Sequence, residues 1–398
     1  MKNMDMTAFI AAALVVAVTA CGRNREESLR TMIDRCYDTA LSQSMMLAES
    51  TSPLEGMLPR TFEDGELKTT DYRGWVCGFF PGTLWELYEH YPDNARLRGY
   101  AEEFTARVFP AKDMTSTHDL GFMVFCSSGN AWRLTGDTKY RDVILAASQS
   151  LATRYNEKTG VIMSWNPNKV WKYPVIIDNM MNLEMLMWAG RETGDSSLVN
   201  IALSHAETTL RNHFREDGSS WHVVSYNPET GDVELRQTHQ GYSDDSAWAR
   251  GQAWGLYGYT MMYRLTGRQE FLDQARKIAV FIADNPNLPE DGIPYWDFDA
   301  PDIPDALRDA SAGAIMASAF LELSTLDKSG DSGRWRALAE KQLRSLASPA
   351  YLAEPGTNGG FILKHSVGHL GKGSEVDVPL SYADYYFLEA LGRLEKLL

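Results

Sequence analysis

The chain has 398 residues, 44% of them apolar and 11% aromatic, which is ample for a large buried core. Its formal charge of −15 argues against nucleic acid as a partner and means that any anionic substrate must be met by locally placed cations.

The N-terminus reads as a targeting segment. Lys2 supplies a short basic start, and Thr7 to Val18 is an apolar run too short to span a bilayer comfortably. Val18-Thr19-Ala20-Cys21-Gly22 resembles the bacterial lipoprotein processing box. The expectation is a signal peptide over 1–21, a lipid anchor at Cys21 as the only membrane attachment, and a mature periplasmic protein. A plain secretory peptide cut nearby is the alternative. Cys36, Cys77 and Cys126 then remain, with no metal-motif spacing and an odd count, so they read as buried thiols with one disulfide left open.

Beyond a polar linker, Ser28 to Glu49 has the period of an amphipathic helix and Thr51 to Tyr72 reads as loop. Trp75 to Gly82 (WVCGFFPG) leads into a helix with Pro81 at its entrance. A weak repeat follows. Helices end near Tyr88–Tyr91, Leu134, Glu192, Leu265 and Thr325, and each is followed by a tight turn such as Thr135-Gly136-Asp137 or Thr193-Gly194-Asp195 and then by another helix. Short β-runs are confined to Val161–Trp165, Ser220–Tyr226 and Gly359–His365. About six helical hairpins fill Ser28 to Leu398, in one catalytic domain over 22–398 that no linker-like break divides. The fold class expected is therefore all-α, a single (α/α)6 toroid, with an open solenoid as runner-up. In the closed ring the long loops gather at one end, and function sits there.

Those loops deliver polar and aromatic groups just ahead of apolar helices: Trp75; His118 and Asp119; Trp165 and then Asp178; His222 and the stretch Thr238 to Tyr257; Tyr295-Trp296-Asp297; and Lys364-His365-Ser366. Asp178 interrupts an apolar segment, Val175-Ile176-Ile177 before and Met180-Met181 after. Burial there raises a carboxyl pKa, as a general acid near neutrality requires. Asp119 is the natural second carboxylate, although both also suit helix N-caps. Arg250 and Trp254, four residues apart, read as a clamp for a carboxylated sugar, the guanidinium forking onto the carboxylate and the indole stacking on the ring. His90, His205 and His213 read as structural. There is no HExxH, P-loop, GxGxxG or GxSxG pattern, so neither metal nor cofactor is expected.

Together, His118 to Phe122, Ile177-Asp178-Asn179, Thr238 to Gly241, Arg250 to Gly255, Tyr295 to Phe298 and Ala383 to Ala390 resemble the unsaturated glucuronyl hydrolases, glycoside hydrolase family 88. The resemblance spans Gly74 to Leu394. It implies an (α/α)6 barrel and removal of a 4,5-unsaturated uronic acid from the non-reducing end of lyase-generated oligosaccharides, glycosaminoglycan fragments among them, by hydration of the C4=C5 vinyl ether. It implies Asp178 as the acid and base and Asp119 as the second essential carboxylate. It also implies Trp75, Trp165 and Trp254 as stacking walls, His222, Gln240 and Arg250 as uronate binders, and His118 as an orienting group. His239 and Ser366 complete the expected binding set. The last loop has Ser366 and Lys372 but His369 where a second small hydroxyl is expected, which leaves sulfate preference open. The readings kept beside this one are an unsaturated rhamnogalacturonyl hydrolase, an epimerase-like toroid using paired histidines, and a tethered glycan-binding protein without activity.

Overall fold

The computed structural model describes residues 27–398; the signal segment and Cys21 lie outside them. Six inner helices form a closed ring. They are α2 (Phe79–His90), a π-helical segment Gly121–Gly129 continued by α4 (Asn130–Thr135), α6 (Leu183–Thr193) with the 3₁₀ turn Ile177–Asn182 before it, α8 (Ala249–Thr266), α10 (Ala310–Leu326) and α12 (Ser381–Glu395). α12 packs on both α10 and α2, which closes the circle. Six outer helices stand behind them: α1 (Leu29–Thr51), α3 (Ala95–Val108), α5 (Thr138–Ala152), α7 (Ser196–Asn212), α9 (Gln269–Asp284) and α11 (Ser332–Leu346). This is the (α/α)6 barrel.

The division into two rings is written in the apolar pattern. α9 buries Phe271, Leu272, Ala275, Ile278, Ala279 and Ile282, one stripe at helical spacing, and so presents one face inward. α10 buries nearly every residue from Ala310 to Leu321, as a helix enclosed by neighbours must. The turns from inner to outer helices are short because Asp137 and Asp195 cap the next helix at once, Asp195 accepting from Ser197 N at 2.9 Å. The connections from outer to inner helices are long and collect at the N-terminal ends of the inner ring.

Three local expectations need correction. The segment read as loop over 51–72 holds an antiparallel hairpin, β1 (Leu58–Glu63) and β2 (Glu66–Thr70), joined by Asp64-Gly65 with both φ values positive. That is the two-residue turn whose twist matches paired strands. Gly359–His365 is not a strand; the pairing lies just beyond it, between β8 (Ser366–His369) and β9 (Ser374–Val378). The helix after Asp119 begins as a π-helix, a form common at functional sites. Among the described residues, Cys36, Cys77 and Cys126 are unpaired thiols.

Candidate active site

Extended segments laced across the loop end bring the site together. Thr117 pairs with Trp165, and His118 N donates to Ser164 O at 3.1 Å. Ser164 in turn holds the next segment, β5 (Pro174–Ile176), through its backbone and through Oγ, which accepts from Ile176 N at 2.9 Å. β5 pairs with β6 (Val223–Tyr226) with Ile176 opposite Val223, and β6 pairs with β7 (Val233–Gln237) with Val223 opposite Gln237. The register decides the chemistry. Asp178 follows β5 and His222 precedes β6, so antiparallel pairing sets them side by side, and Thr238-His239-Gln240 emerges over His222.

Asp178 is 8% exposed. Among the described residues its Oδ2 has no hydrogen-bond partner, and the nearest basic group is His222 Nε2 at 3.8 Å. Burial raises its pKa to about 6, against the pull of His118 and Arg250. It caps no helix: Ile176 holds the cap position of the turn. Asp119 does not cap one either. Its carboxylate accepts from Thr117 Oγ1 at 2.5 Å and lies 3.2 Å from His118 Nε2. Burial would raise Asp119, but His118, Thr117 and Arg154 outweigh it and hold the group below the usual aspartate value. Two aspartates of one pocket are thus pushed in opposite directions, one toward the proton and one toward the charge. They can approach because Gly121 sits against Asn182: a Cβ there would meet the Asn182 Cα at 2.6 Å, and Phe122 N donates to Asn182 Oδ1 at 3.1 Å.

His222 is buried and neutral, its pKa held well below 6.5 by lost hydration first and then by neighbouring His239 and Arg250. Its Nδ1 accepts the backbone N–H groups of His239 and Gln240, both at 3.1 Å. The ring proton therefore sits on Nε2, facing Asp178. Trp248 lies against the ring with centroids 4.5 Å apart. No motif marks that contact in advance; Trp248 stands out only as one more indole in the stretch.

Around this centre Trp75 is half-buried against Phe79 and Tyr382, and Trp165 is half-buried beside Trp171 and His239. Gln240 Nε2 donates to Gly368 O at 3.0 Å. His239 Nε2 is 3.0 Å from Lys372 Nζ, and its ring meets His369 edge-on at 4.9 Å. Burial, then neighbouring His239 and Lys372, press His369 down to about 4, while burial and Lys372 lower His239. Lys372 carries the charge of this trio.

Three expected roles do not fit their positions. Trp254 is fully buried between Phe122 and Tyr386, with no face open to a sugar. It sits one turn deeper than Arg250, in the floor rather than the wall. Arg250 is 1% exposed, and its forked end is already taken. Nη1 donates to Asp309 Oδ2 at 2.9 Å and Val367 O at 2.5 Å, and Nη2 to Gly368 O at 2.7 Å. The guanidinium lies over Trp248 at 4.4 Å. It anchors the last loop and acts on the centre as a fixed charge rather than as an open clamp, with Nε left without a partner. Ser366 is fully buried at the start of β8, its Oγ without a partner. Asp244 and Asp245, prominent in the sequence, lie in the exposed loop; Asp244 accepts from Thr238 N at 2.8 Å. Asp309 and Asp297 hold the loops that frame the site. Asp297 Oδ2 accepts from Tyr242 N and Ser246 Oγ and so fastens the loop that carries Gln240.

Comparison with known proteins gives the family of the chain. The chain is 46% identical over 328 residues to an unsaturated glucuronyl hydrolase of Formosa agariphila, covering 82% of this chain and 81% of that one. It is 35% identical to an unsaturated chondroitin disaccharide hydrolase of Streptococcus pyogenes, covering 84% of each. A crystal structure of an unsaturated glucuronyl hydrolase specific for heparin superposes with a TM-score of 0.89 at 47% identity, covering 92% of this chain and 97% of that one. The family model for Glycosyl Hydrolase Family 88 matches residues 55–348, and the chain belongs to that family.

Proposed function

We propose that the protein is an unsaturated glucuronyl hydrolase: it removes the terminal 4,5-unsaturated uronic acid from lyase-generated, glycosaminoglycan-type oligosaccharides by hydrating the C4=C5 bond. The observation that carries the mechanism is Asp178, buried, unpartnered at Oδ2 and raised to about 6, beside a charged Asp119. The enol ether is electron-rich at C4, so protonated Asp178 gives its proton there. The positive charge that develops at C5 is shared with the ring oxygen. Asp178, now a carboxylate, takes a proton from the water that adds to C5. One water has then been added and the acid restored. The C5 hemiketal opens to a ketone as its proton passes to the ring oxygen. The hemiacetal left at C1 releases the next sugar as its free alcohol. A single carboxyl serves twice, unlike the paired-carboxylate displacement at an anomeric carbon. His222, held neutral with its proton on Nε2, donates toward the uronate or the incoming water.

The enzyme is expected to abolish the ultraviolet absorbance of unsaturated disaccharides, and in heavy water to leave one deuterium at C4. Absorbance lost without deuterium at C4 contradicts hydration. Loss confined to rhamnose-linked substrates moves the assignment to the unsaturated rhamnogalacturonyl hydrolases. Lys372 beside His239 and Trp165 supports a substrate whose second sugar carries a further anion. We also read the chain as a periplasmic lipoprotein with one catalytic unit over 22–398. Lipid on Cys21 in the mature protein, found by mass spectrometry and lost in Cys21→Ser, tests that reading.

A further inference from the structure

The barrel has a cavity at the opposite end of its axis from Asp178. It measures about 520 Å³ and is walled by α2, the π-helical segment with α4, α6, α8 and α12. Its floor includes Phe122 and Tyr386, the same rings that clasp Trp254, so one aromatic layer separates it from the loop-end site. Cavities of roughly 300–1,000 Å³ are the size that small-molecule ligands occupy.

The lining is unusual for a place with no function. A barrel end can be closed by alanine and leucine packing, and replacing buried ion pairs by such packing is often neutral or stabilising. Here α12 instead turns Glu389 and Arg393 inward. Arg393 Nη2 donates to Tyr257 OH at 2.8 Å, and that hydroxyl donates to Glu389 Oε2 at 3.0 Å. Glu86, on α2, has its carboxylate only 3.3 Å from Arg133 Nη2, and burial raises its pKa to about 7. Such a group donates and accepts with similar ease at neutral pH. One wall is aromatic: Trp188 and Phe125 lie 6.1 Å apart and both face the cavity.

Charge decides the class of ligand. The lining contains four carboxylates (Glu86, Glu89, Glu184, Glu389) and four basic groups (Arg133, Arg264, Arg393, Lys396), so it favours neither an anion nor a cation. Carboxylates accept and guanidiniums donate, which suits the paired hydroxyls of a sugar, and an indole suits its apolar face. We infer that this cavity is a second saccharide site, for a neutral mono- or disaccharide, coaxial with the loop-end centre and independent of it.

The test is calorimetric titration and ligand-observed NMR on the full chain, using glucose, N-acetylglucosamine and cellobiose as probes. Asp178→Asn protein saturated with an unsaturated disaccharide keeps the loop-end site filled. Saturable binding of at least one probe is expected under that condition. Trp188→Ala and the isosteric Glu86→Gln are expected to weaken it about tenfold or more while leaving turnover of the unsaturated disaccharide in otherwise wild-type protein unchanged. Absence of saturable binding by all three probes overturns the inference. So does competition by the unsaturated disaccharide, or binding that survives both substitutions. None of these outcomes touches the hydration assay, so the two readings fail separately.

Discussion

Two sets of buried charge, one at each end of the barrel, are handled in opposite ways. At the far end, charges are chained: Arg264 joins Glu184 at 2.7 Å to Glu322 at 2.5 Å, and Arg393 joins Glu322 at 3.2 Å to Glu389 at 3.3 Å. At the loop end, Asp178 has no counter-ion in hydrogen-bond reach, and its nearest basic neighbour is a neutral imidazole. Both arrangements cost hydration energy. Only the first recovers it in pairing; the second leaves it as a raised pKa, which is the property a proton donor needs. The difference separates charge that holds helices together from charge that reacts.

The sharpest way to break this contrast is Asp178→Asn. Removing the acid is expected to lower kcat roughly 10²–10⁴-fold, read as the rate of absorbance loss. The same change is expected to stabilise the fold. A carboxyl whose folded pKa lies above its unfolded value favours the native state at low pH, and that contribution is lost as pH rises through about 6. Above that pH the wild type carries an unfavourable buried charge that the amide lacks. The variant's melting temperature is expected to exceed the wild type's at pH 8, by a margin on the order of 1–3 kcal/mol in stability. An equal or lower melting temperature would show that Asp178 is not strained by burial. The opposite result is expected at the far end. Arg393→Ala leaves Glu322 with Arg264 and Glu389 with the hydroxyls of Tyr257 and Ser318, and is expected to cost about 1–3 kcal/mol while kcat of the folded fraction stays unchanged.

A smaller effect concerns the coupling of the two aspartates. Since Asp178 must be protonated to act as the acid, kcat/KM is expected to fall as pH rises, with a midpoint near 6. The negative charge of Asp119 is one of the factors raising Asp178. Asp119→Asn is therefore expected to shift that descending limb to lower pH, in addition to any loss of rate. A limb that stays in place, measured over pH 4 to 8, would separate Asp119 from the acid and leave it a substrate contact.

The ring of twelve helices was legible because its signals are local: an apolar stripe at helical spacing, an aspartate at the next cap, an apolar helix behind each long loop. Asp178 was legible for the same reason, as a carboxylate set inside Val175-Ile176-Ile177 and Met180-Met181. What the sequence hid is pairing across distance. Nothing in Arg250 to Trp254 shows that Asp309 and the carbonyls of Val367 and Gly368 take the guanidinium, or that the indole lies in the floor. A four-residue spacing sets two side chains on one helix face, yet it does not say whether that face meets substrate or core. The tautomer of His222 was equally out of reach, since it depends on strand register bringing His239 and Gln240 over it. Asp64-Gly65 was a signal present and unread.

The smallest expected effect lies at the rim and asks whether the loop end has one layer of recognition or two. Arg250 is buried, paired with Asp309 and about equally placed for any uronate, so it cannot distinguish one second sugar from another. Lys372 is exposed and lies against the imidazole of His239, and with His239 and His369 both lowered it supplies the positive charge of its cluster. A charge at that exposure contributes through screened attraction, on the order of 1 kcal/mol. Lys372→Ala is therefore expected to raise KM several-fold for sulfated disaccharides, to change it little for unsulfated ones, and to leave kcat in place. The difference between the two substrates should shrink as salt is added, because exposed pairs separated by more than a Debye length are screened. An equal rise in KM for both substrates would place Lys372 on the uronate itself and reduce the two layers to one.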